Sequence, residues 1–481
     1  MTFALDSATR RRLGYKLIDH IDAYFASLPE RGVQLPESQR TFGRLDHPLP
    51  ELGEDADKVL DDLCREMTAQ GFHIASGNYF GLMNPAPAYM AVLGEALVAA
   101  LNPQIATLAR SQLASKIELE TVRWVGERVY RPAESGNRNF DGTFTSGGNE
   151  ANFSALAMAL ATHFPTYIQD GAQSLGARPV FYASAESHHS LDKSAGLLGI
   201  GRSAVRRIPV TDRLQMDVQL LERAIESDRA AGLKPFCVVG TAGTTNSGAV
   251  DDLIAMAEVC QREGLWFHVD GAFGAAAAFS DQHRHLVEGI ERADSVTIDP
   301  HKWLSMPFAA GVILTKHPEA LSRAFEVSTP YMPKAAQATL LDNFKVSSQW
   351  SRRVNSLKLW LTLRVHGRQA YEELIDRQLR LTREFAAWVD KSGAFEMVLP
   401  PQLTIVNFRV KGGRTEEETA ALNVSVVDEV TRDGRRWISV TRAGRFQVIR
   451  AQVISYFTSE QNLEELKQAL QTAAASLRVA R

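Results

Sequence analysis

Four features of this chain could act together on a substrate: a lysine past a strand, a carboxylate at a strand end, a histidine pair and a glycine turn. The lysine is Lys302, in Asp294-Ser-Val-Thr-Ile-Asp-Pro-His-Lys-Trp303. Ser295 to Ile298 is a β-branched run that reads as a buried strand, and Pro300 ends it, leaving His301 and Lys302 on the following loop. Strand ends of this kind carry chemistry in α/β folds, although a solvated surface lysine has the same local appearance. The carboxylate is Asp270, in the apolar Leu265-Trp-Phe-His-Val-Asp-Gly-Ala-Phe273. Burial there would demand a cationic or hydrogen-bonding partner. His268, two residues earlier, points to the same side as the acid and is either a satisfied core histidine or a support for Asp270.

The histidine pair, His188 and His189, follows the strand Pro179 to Ala183. The turn lies in Gly142-Thr-Phe-Thr-Ser-Gly-Gly-Asn-Glu-Ala-Asn-Phe-Ser-Ala-Leu156, read as strand, turn and helix. Ser146, Gly147, Gly148 and Asn149 would place backbone N–H groups at a helix N-terminus, an anion cradle suited to phosphate. A Gly-Gly pair alone is weak; the strand before it and the helix after it give it meaning. No GxxxxGK[ST] run accompanies it, so a nucleoside triphosphate site is not indicated.

A phosphate cradle, a flat ring, a buried carboxylate and a reactive lysine are what pyridoxal phosphate requires. With these residues assembled, the sequence resembles the group II pyridoxal phosphate-dependent amino acid decarboxylases of the fold type I superfamily, which include aromatic amino acid and glutamate decarboxylases. The resemblance rests on Thr145-Ser-Gly-Gly-Asn-Glu-Ala-Asn152, Ser187-His188, Gly243-Thr-Thr245, His268-Val-Asp270 and Asp299-Pro-His-Lys-Trp303, with Tyr331 and Arg352-Arg-Val-Asn-Ser-Leu-Lys-Leu-Trp360 beyond them.

The resemblance implies an L-amino acid decarboxylase in which Lys302 forms the Schiff base, Asp270 pairs with the pyridine nitrogen, and His188 rather than His189 stacks on the ring. The implied cofactor site also takes in Ser146, Gly147, Gly148, Asn149, Thr244, Ala272 and His301, with a plain turn residue as the alternative for Thr244. Tyr331 would protonate Cα after carbon dioxide leaves, unless it is an ordinary exposed loop tyrosine. A tyrosine there implies simple decarboxylation rather than oxidative aldehyde formation. Leu82, Met83, Asn84, Ala106 and Leu108 match pocket positions. Their largely apolar character favours an aromatic or large apolar substrate; an acidic or diamino acid is the alternative, since Arg110 or another arginine could reach the pocket. Asp299 departs from the asparagine common in aromatic decarboxylases, and an acid would repel a phosphate unless turned away, so it is left off the cofactor set. An aldehyde synthase, aminotransferase or carbon–carbon lyase would share Lys302 and Asp270, whereas a non-catalytic protein would need neither.

These residues require a sheet to position them. Strands are expected at Gly142–Thr145, Pro179–Ala183, Ala204–Ile208, Phe236–Val239, Trp266–Asp270, Ser295–Ile298 and Gly311–Thr315, alternating with helical patterns. The fold class is therefore α/β, a mostly parallel seven-stranded sheet with helices on both faces. An N-terminal helical segment, residues 1–80, precedes the large domain, 81–365, and a small α+β domain, 366–481, follows. Helices are expected over residues 7–27, 55–70, 356–388 and 460–477, and an antiparallel sheet from Leu403–Val410, a pair around Asp433-Gly434, and Val448–Phe457. The resemblance implies that the N-terminal segment packs on a second copy, giving a homodimer with active sites at the subunit interface.

Composition excludes several classes. The 481 residues carry 53 basic and 56 acidic side chains, net −3, which offers no basic field for nucleic acid or an anionic membrane. The three cysteines, without CxxC spacing, suggest neither a disulfide framework nor a zinc site, and no metal is expected. The N-terminus lacks a basic-then-apolar leader, and the apolar stretch Ala88–Leu101 is interrupted by Glu95, so a cytoplasmic protein is expected.

Overall fold

The computed structural model describes residues 3–41, 48–131, 140–328 and 342–479. Seven strands form the large sheet: β1 (Asp141–Thr145), β2 (Pro179–Ser184), β3 (Val205–Ile208), β4 (Lys234–Thr241), β5 (Trp266–Asp270), β6 (Ser295–Ile298) and β7 (Gly311–Thr315). Their order is β1-β7-β6-β5-β4-β2-β3. The run β3-β2-β4-β5-β6 is parallel, and β7 lies antiparallel between β6 and β1. The fold is the expected one, a mostly parallel seven-stranded sheet between helices.

Both faces of this sheet are buried, which is why its strands are near-continuous apolar runs. On β4, Cys237 and Val239 face one core and Val238 the other; on β2, Phe181 and Ala183 oppose Val180 and Tyr182. The helix Gly148–His163 covers one face and is buried continuously from Ala151 to Ala161 apart from a half-buried Phe153. Its alanines at 151, 155, 157, 159 and 161 let it approach closely on all sides, and a helix apolar all round belongs inside. The helix Gln112–Tyr130 packs Val122, Val125 and Val129 on the other face.

The expected helix 356–388 is present as Leu357–Lys391 but broken at Gly367, whose φ of +71° only glycine adopts cheaply. A Cβ there would meet nothing within 4 Å, so the requirement is conformational, not steric. In the C-terminal region β8 (Phe395–Leu399), β9 (Ile405–Val410), β10 (Ser439–Ala443) and β11 (Phe446–Gln452) form an antiparallel sheet, order β10-β11-β9-β8. The hairpin turn falls at Gly444–Arg445 and not at Asp433-Gly434. Asp433-Gly434 instead follows the helix Glu416–Thr431, and the Gly434 carbonyl accepts from Val33 and Gln34, docking the N-terminal chain. Helices Ser7–Ser27 and Ala56–Gln70 are joined by Arg12–Asp57 and Lys16–Asp61 ion pairs. Among the described residues no helix is long and apolar enough to cross a membrane.

One buried ion pair ties β1 to the start of the long helix. Arg352 and Glu118 are each 2% exposed and in direct contact; Glu118 also accepts from the Phe144 amide at 3.3 Å, and Arg352 Nη1 donates to Thr143 Oγ1 at 2.5 Å. Burial pulls the guanidinium pKa down to about 9. Removing one partner strands the other charge in the interior. Arg352→Leu should therefore lower stability by roughly 3–5 kcal/mol in urea denaturation, and adding Glu118→Leu should recover much of that loss.

Candidate active site

Strands β4, β5 and β6 are parallel, and β1 runs the same way through β7, so their C-terminal ends meet on one edge. There a cavity of about 340 Å³ opens. It is lined by Gly147, Gly148 and Asn149 after β1, His188 after β2, Thr241, Gly243 and Thr245 at the end of β4, Asp270, Ala272 and Phe273 at the end of β5, and Asp299, His301, Lys302 and Phe308 beyond β6; Met83, Asn84 and Asn152 complete it. Ten sequence-derived candidates thus share one cavity: Met83, Asn84, Gly147, Gly148, Asn149, His188, Asp270, Ala272, His301 and Lys302.

Five do not line it. Ser146 turns outward, its N and Oγ both bonded to Glu150 Oε2 at 2.7 Å. Thr244 is buried in its own turn, bonding Ser247 Oγ at 2.7 Å and accepting from the Ala249 amide at 3.2 Å, while its neighbours Thr241 and Thr245 reach the cavity. Leu82 lines an adjoining cavity of about 490 Å³. The Ala106 carbonyl accepts from the Phe344 amide at 3.1 Å, and the Leu108 amide donates to Asp342 Oδ1 at 2.9 Å. Tyr331 lies outside the described residues. His189, by contrast with His188, points into solvent with its side chain 94% exposed.

Asp270 is 6% exposed, and its partners are hydrogen-bond donors rather than a cation. Oδ1 accepts from the Ala272 amide at 3.2 Å, and Oδ2 from Asn152 Nδ2 at 2.8 Å. Asn152 Nδ2 also donates to Ser190 Oγ at 3.0 Å, and its Oδ1 accepts from Thr297 Oγ1 at 2.8 Å and His268 Nε2 at 3.1 Å. His268 Nδ1 stands 2.9 Å from Ser295 Oγ and 3.1 Å from the Ser295 carbonyl, and Ser295 Oγ accepts from Trp266 Nε1 at 2.8 Å. A hydrogen-bonded chain therefore links Trp266 through Ser295, His268 and Asn152 to Asp270. Asn152 was not singled out in the sequence, although it sits one helical turn after Gly148, on the side facing the same ligand space.

Glycine is required in the turn because the loop after β6 approaches it closely. A Cβ on Gly147 would come within 2.9 Å of His301 Cε1, and one on Gly148 within 2.8 Å of Asp299 Oδ2 and 3.2 Å of the Ala272 Cβ. Asp299, left off the cofactor set, lies against Lys302: its Oδ2 is 3.1 Å from Lys302 Nζ and 3.4 Å from His301 Nε2. Asp299 Oδ1 is buried without a hydrogen-bond partner. His188 Nδ1 accepts from the Ser190 amide at 3.2 Å, so its proton belongs on Nε2. The first amides of the helix Gly148–His163 have no intrahelical acceptor and face the space beside the glycines. A glycine-lined anion cradle, a hydrogen-bonded carboxylate across the cavity and a lysine between them fit pyridoxal phosphate.

The imidazoles give this region a pH dependence. Burial lowers His268 to about 4 against the opposing pull of Asp270, and burial also lowers His188, His301, His163 and His283. These groups are neutral when folded and titrate near 6.5 when unfolded. Their stabilisation is present above about 6.5 and is lost as pH falls towards 4. Asp251, raised to about 6 by burial, acts in the opposite sense over the same window. Comparison with a variant isolates one group: the urea midpoint should fall from neutral pH to pH 4 with a shallower slope in His268→Gln, and an unchanged slope would show that His268 does not titrate as argued.

Comparison with known proteins agrees with this geometry. The family model described as the pyridoxal-dependent decarboxylase conserved domain matches residues 36–411. An aromatic-L-amino-acid decarboxylase of Bacillus atrophaeus is 30% identical over 476 residues, 98% of this chain and 96% of that protein. An L-2,4-diaminobutyrate decarboxylase of Acinetobacter baumannii is 31% identical over 78% of this chain and 76% of its own length. The crystal structure of Oryza sativa TDC with PLP and tryptamine superposes with a TM-score of 0.93 at 25% identity, covering 99% of this chain and 100% of that one. The cofactor is pyridoxal phosphate, the reaction is amino acid decarboxylation, and the chain belongs to the pyridoxal-dependent decarboxylase family.

Proposed function

We propose that this decarboxylase acts on an aromatic or large apolar L-amino acid, releasing its amine and carbon dioxide. The observation that carries the site assignment is the convergence of Lys302, Asp270, His188 and the Gly147–Asn149 turn on one cavity. When bound, pyridoxal phosphate supplies an electron-withdrawing protonated pyridine that accepts the electron pair of the bond to the departing carboxylate. Lys302 would hold the cofactor through its amine, Asp270 at the ring nitrogen, His188 across the ring face, and the Gly148 and Asn149 amides with His301 at the phosphate. Asn152 and the Ala272 amide fix the orientation of Asp270 from behind. Met83, Phe273 and Phe308 present apolar walls that exclude water from a bound carboxylate. They, and the aromatic-acid relative matched over almost the whole chain, support the substrate class.

One observation favours the acidic or diamino alternative. The adjoining cavity shares Thr245 with the first and contains Arg450 and Asp428. Arg450 is 2% exposed and donates to the Gly81 carbonyl and to Gln452 Oε1, but its Nε has no partner. A second substrate carboxylate could be met by the arginine, and a side-chain ammonium by the aspartate. The decisive screen supplies the cofactor-loaded protein with the common amino acids, dihydroxyphenylalanine, 5-hydroxytryptophan and 2,4-diaminobutyrate, and reads amine and carbon dioxide together. Aromatic amine is the expected product; amine from an acidic or diamino substrate overturns the substrate class, and a 2-oxo acid overturns the reaction. Lys302→Ala should lose the absorbance of bound cofactor and at least roughly three orders of magnitude in turnover, each tenfold being about 1.4 kcal/mol of barrier.

The working unit is a homodimer in the cytoplasm. The helix Ser7–Ser27 buries none of its side chains and exposes Tyr15, Leu17 and Ile18; Val59, Leu63 and Met67 are exposed on the neighbouring helix. An apolar surface of this extent suits a second copy. Ala106 and Leu108 would then belong to a segment serving the neighbouring site. Three unpaired cysteines accord with a reducing compartment. Sedimentation should give twice 53.1 kDa, and Tyr15→Glu with Ile18→Glu should shift it towards the monomer.

A further inference from the structure

His301 faces the cofactor cavity from a loop whose reverse side rests on a buried cation. Lys358 has a side chain 1% exposed, and its Nζ pairs with Glu95 Oε1 at 2.6 Å. The same Nζ donates to the Pro307 carbonyl at 3.0 Å and the Ala309 carbonyl at 2.7 Å, which uses all three of its hydrogens. Glu95 is itself held by Arg353 Nη2 at 2.5 Å. Gly94 admits the close approach, since a Cβ there would stand 3.1 Å from Lys358 Cα.

The clamped turn meets His301 twice. Phe308 lies against the imidazole with ring centres 4.7 Å apart, and the Ala310 amide donates to His301 Nδ1 at 3.1 Å. A backbone amide can only donate, so Nδ1 holds a lone pair and the ring proton sits on Nε2. Nε2 faces Asp299 Oδ2 at 3.4 Å, at the wall shared with the Gly147 turn. Three charged groups act on this ring: Asp299 favours its protonation, and Lys302 and Lys358 oppose it, in the same sense as burial.

We propose that Lys358 is a positioning residue for the cofactor site: by gripping the Pro307 and Ala309 carbonyls it presents the Ala310 amide to His301 Nδ1, and so presents His301 to the cavity as a neutral donor through Nε2. Lys358 touches neither cofactor nor substrate. The inference rests on the pyridoxal phosphate reading of the cavity and assigns to that site a residue from the far side of its wall.

The test uses the cofactor-free full chain with ring-¹⁵N histidine, His301 being identified by the signals lost in His301→Gln. In the unsubstituted protein, His301 should show an unprotonated Nδ1 and a protonated Nε2 at neutral pH; a proton on Nδ1 overturns the proposal before any variant is made. Lys358→Met should give mixed tautomers and a protonation midpoint shifted upward, and should weaken pyridoxal phosphate binding about tenfold by absorbance titration, the scale of one lost hydrogen bond. Weaker binding with unchanged His301 signals would mark Lys358 as a support of the fold only and also overturns the proposal. If Lys358→Met does not fold, Lys358→Gln, neutral but still a donor, should shift the same signals in the same direction, and its silence counts equally against the inference. Failure of the underlying reading looks different, because the unsubstituted protein would then not bind pyridoxal phosphate whatever its tautomer.

Discussion

The structure depends on satisfying a carboxylate in a nearly dry place. Asp270 ends the central strand of a sheet buried on both faces, and a carboxylate there is costly unless its oxygens are hydrogen-bonded. The answer is not a neighbouring cation but Asn152, whose four hydrogen-bonding capacities are all used: two donors to Asp270 and Ser190, and an oxygen accepting from Thr297 and His268. That arrangement leaves the cavity side of the carboxylate open to a ligand donor. It also sets His268 Nε2 as a donor and connects the carboxylate through Ser295 to Trp266.

Several features of the fold follow from placing Asn152 there. It must come from a helix that lies flat on the sheet, and the alanines of Gly148–His163 allow that approach. The helix must begin immediately beside the strand ends, so the turn before it passes within contact of the β6 loop, and only glycines fit at 147 and 148. The same start points unbonded amides at the cavity. The glycine turn and the support for the carboxylate are thus two ends of one packing requirement, separated by one turn of helix.

Much of this was legible in the sequence, for reasons that can be named. Strands buried on both faces are short continuous apolar runs bounded by Gly, Pro and acid, so all seven strand positions could be read, with differences only at their ends. The last residue of β5 is Asp270, and the loop after β6 carries Lys302. What escaped was what depends on three dimensions. Thr244 and Thr245 are indistinguishable in sequence, and the turn bond to Ser247 decides which one faces inward. Asp433-Gly434 has the composition of a hairpin turn, yet its glycine serves as the docking point of the N-terminal chain. The break at Gly367 was hidden because a lone glycine in a strongly periodic helix usually costs only a little helical propensity. Ala106 and Leu108 fall outside the cavity, where the hydrogen bonds of their backbone to Phe344 and Asp342 hold them.

The charge balance of the cavity adds a last constraint. Two buried carboxylates, Asp270 and Asp299, face one lysine, while burial keeps the nearby imidazoles neutral. A phosphate entering this space would meet the negative charge of Asp299 at the wall of the glycine turn, so the turn amides and the His301 N–H must carry more of its stabilisation than they would beside a neutral asparagine. Asp299 also holds Lys302 Nζ at 3.1 Å, and that contact is lost when the amine is engaged elsewhere. On the other side of this wall, Lys358 donates to the Pro307 and Ala309 carbonyls and the Ala310 amide donates to His301 Nδ1, so the histidine beside Asp299 is held from behind by groups outside the cavity.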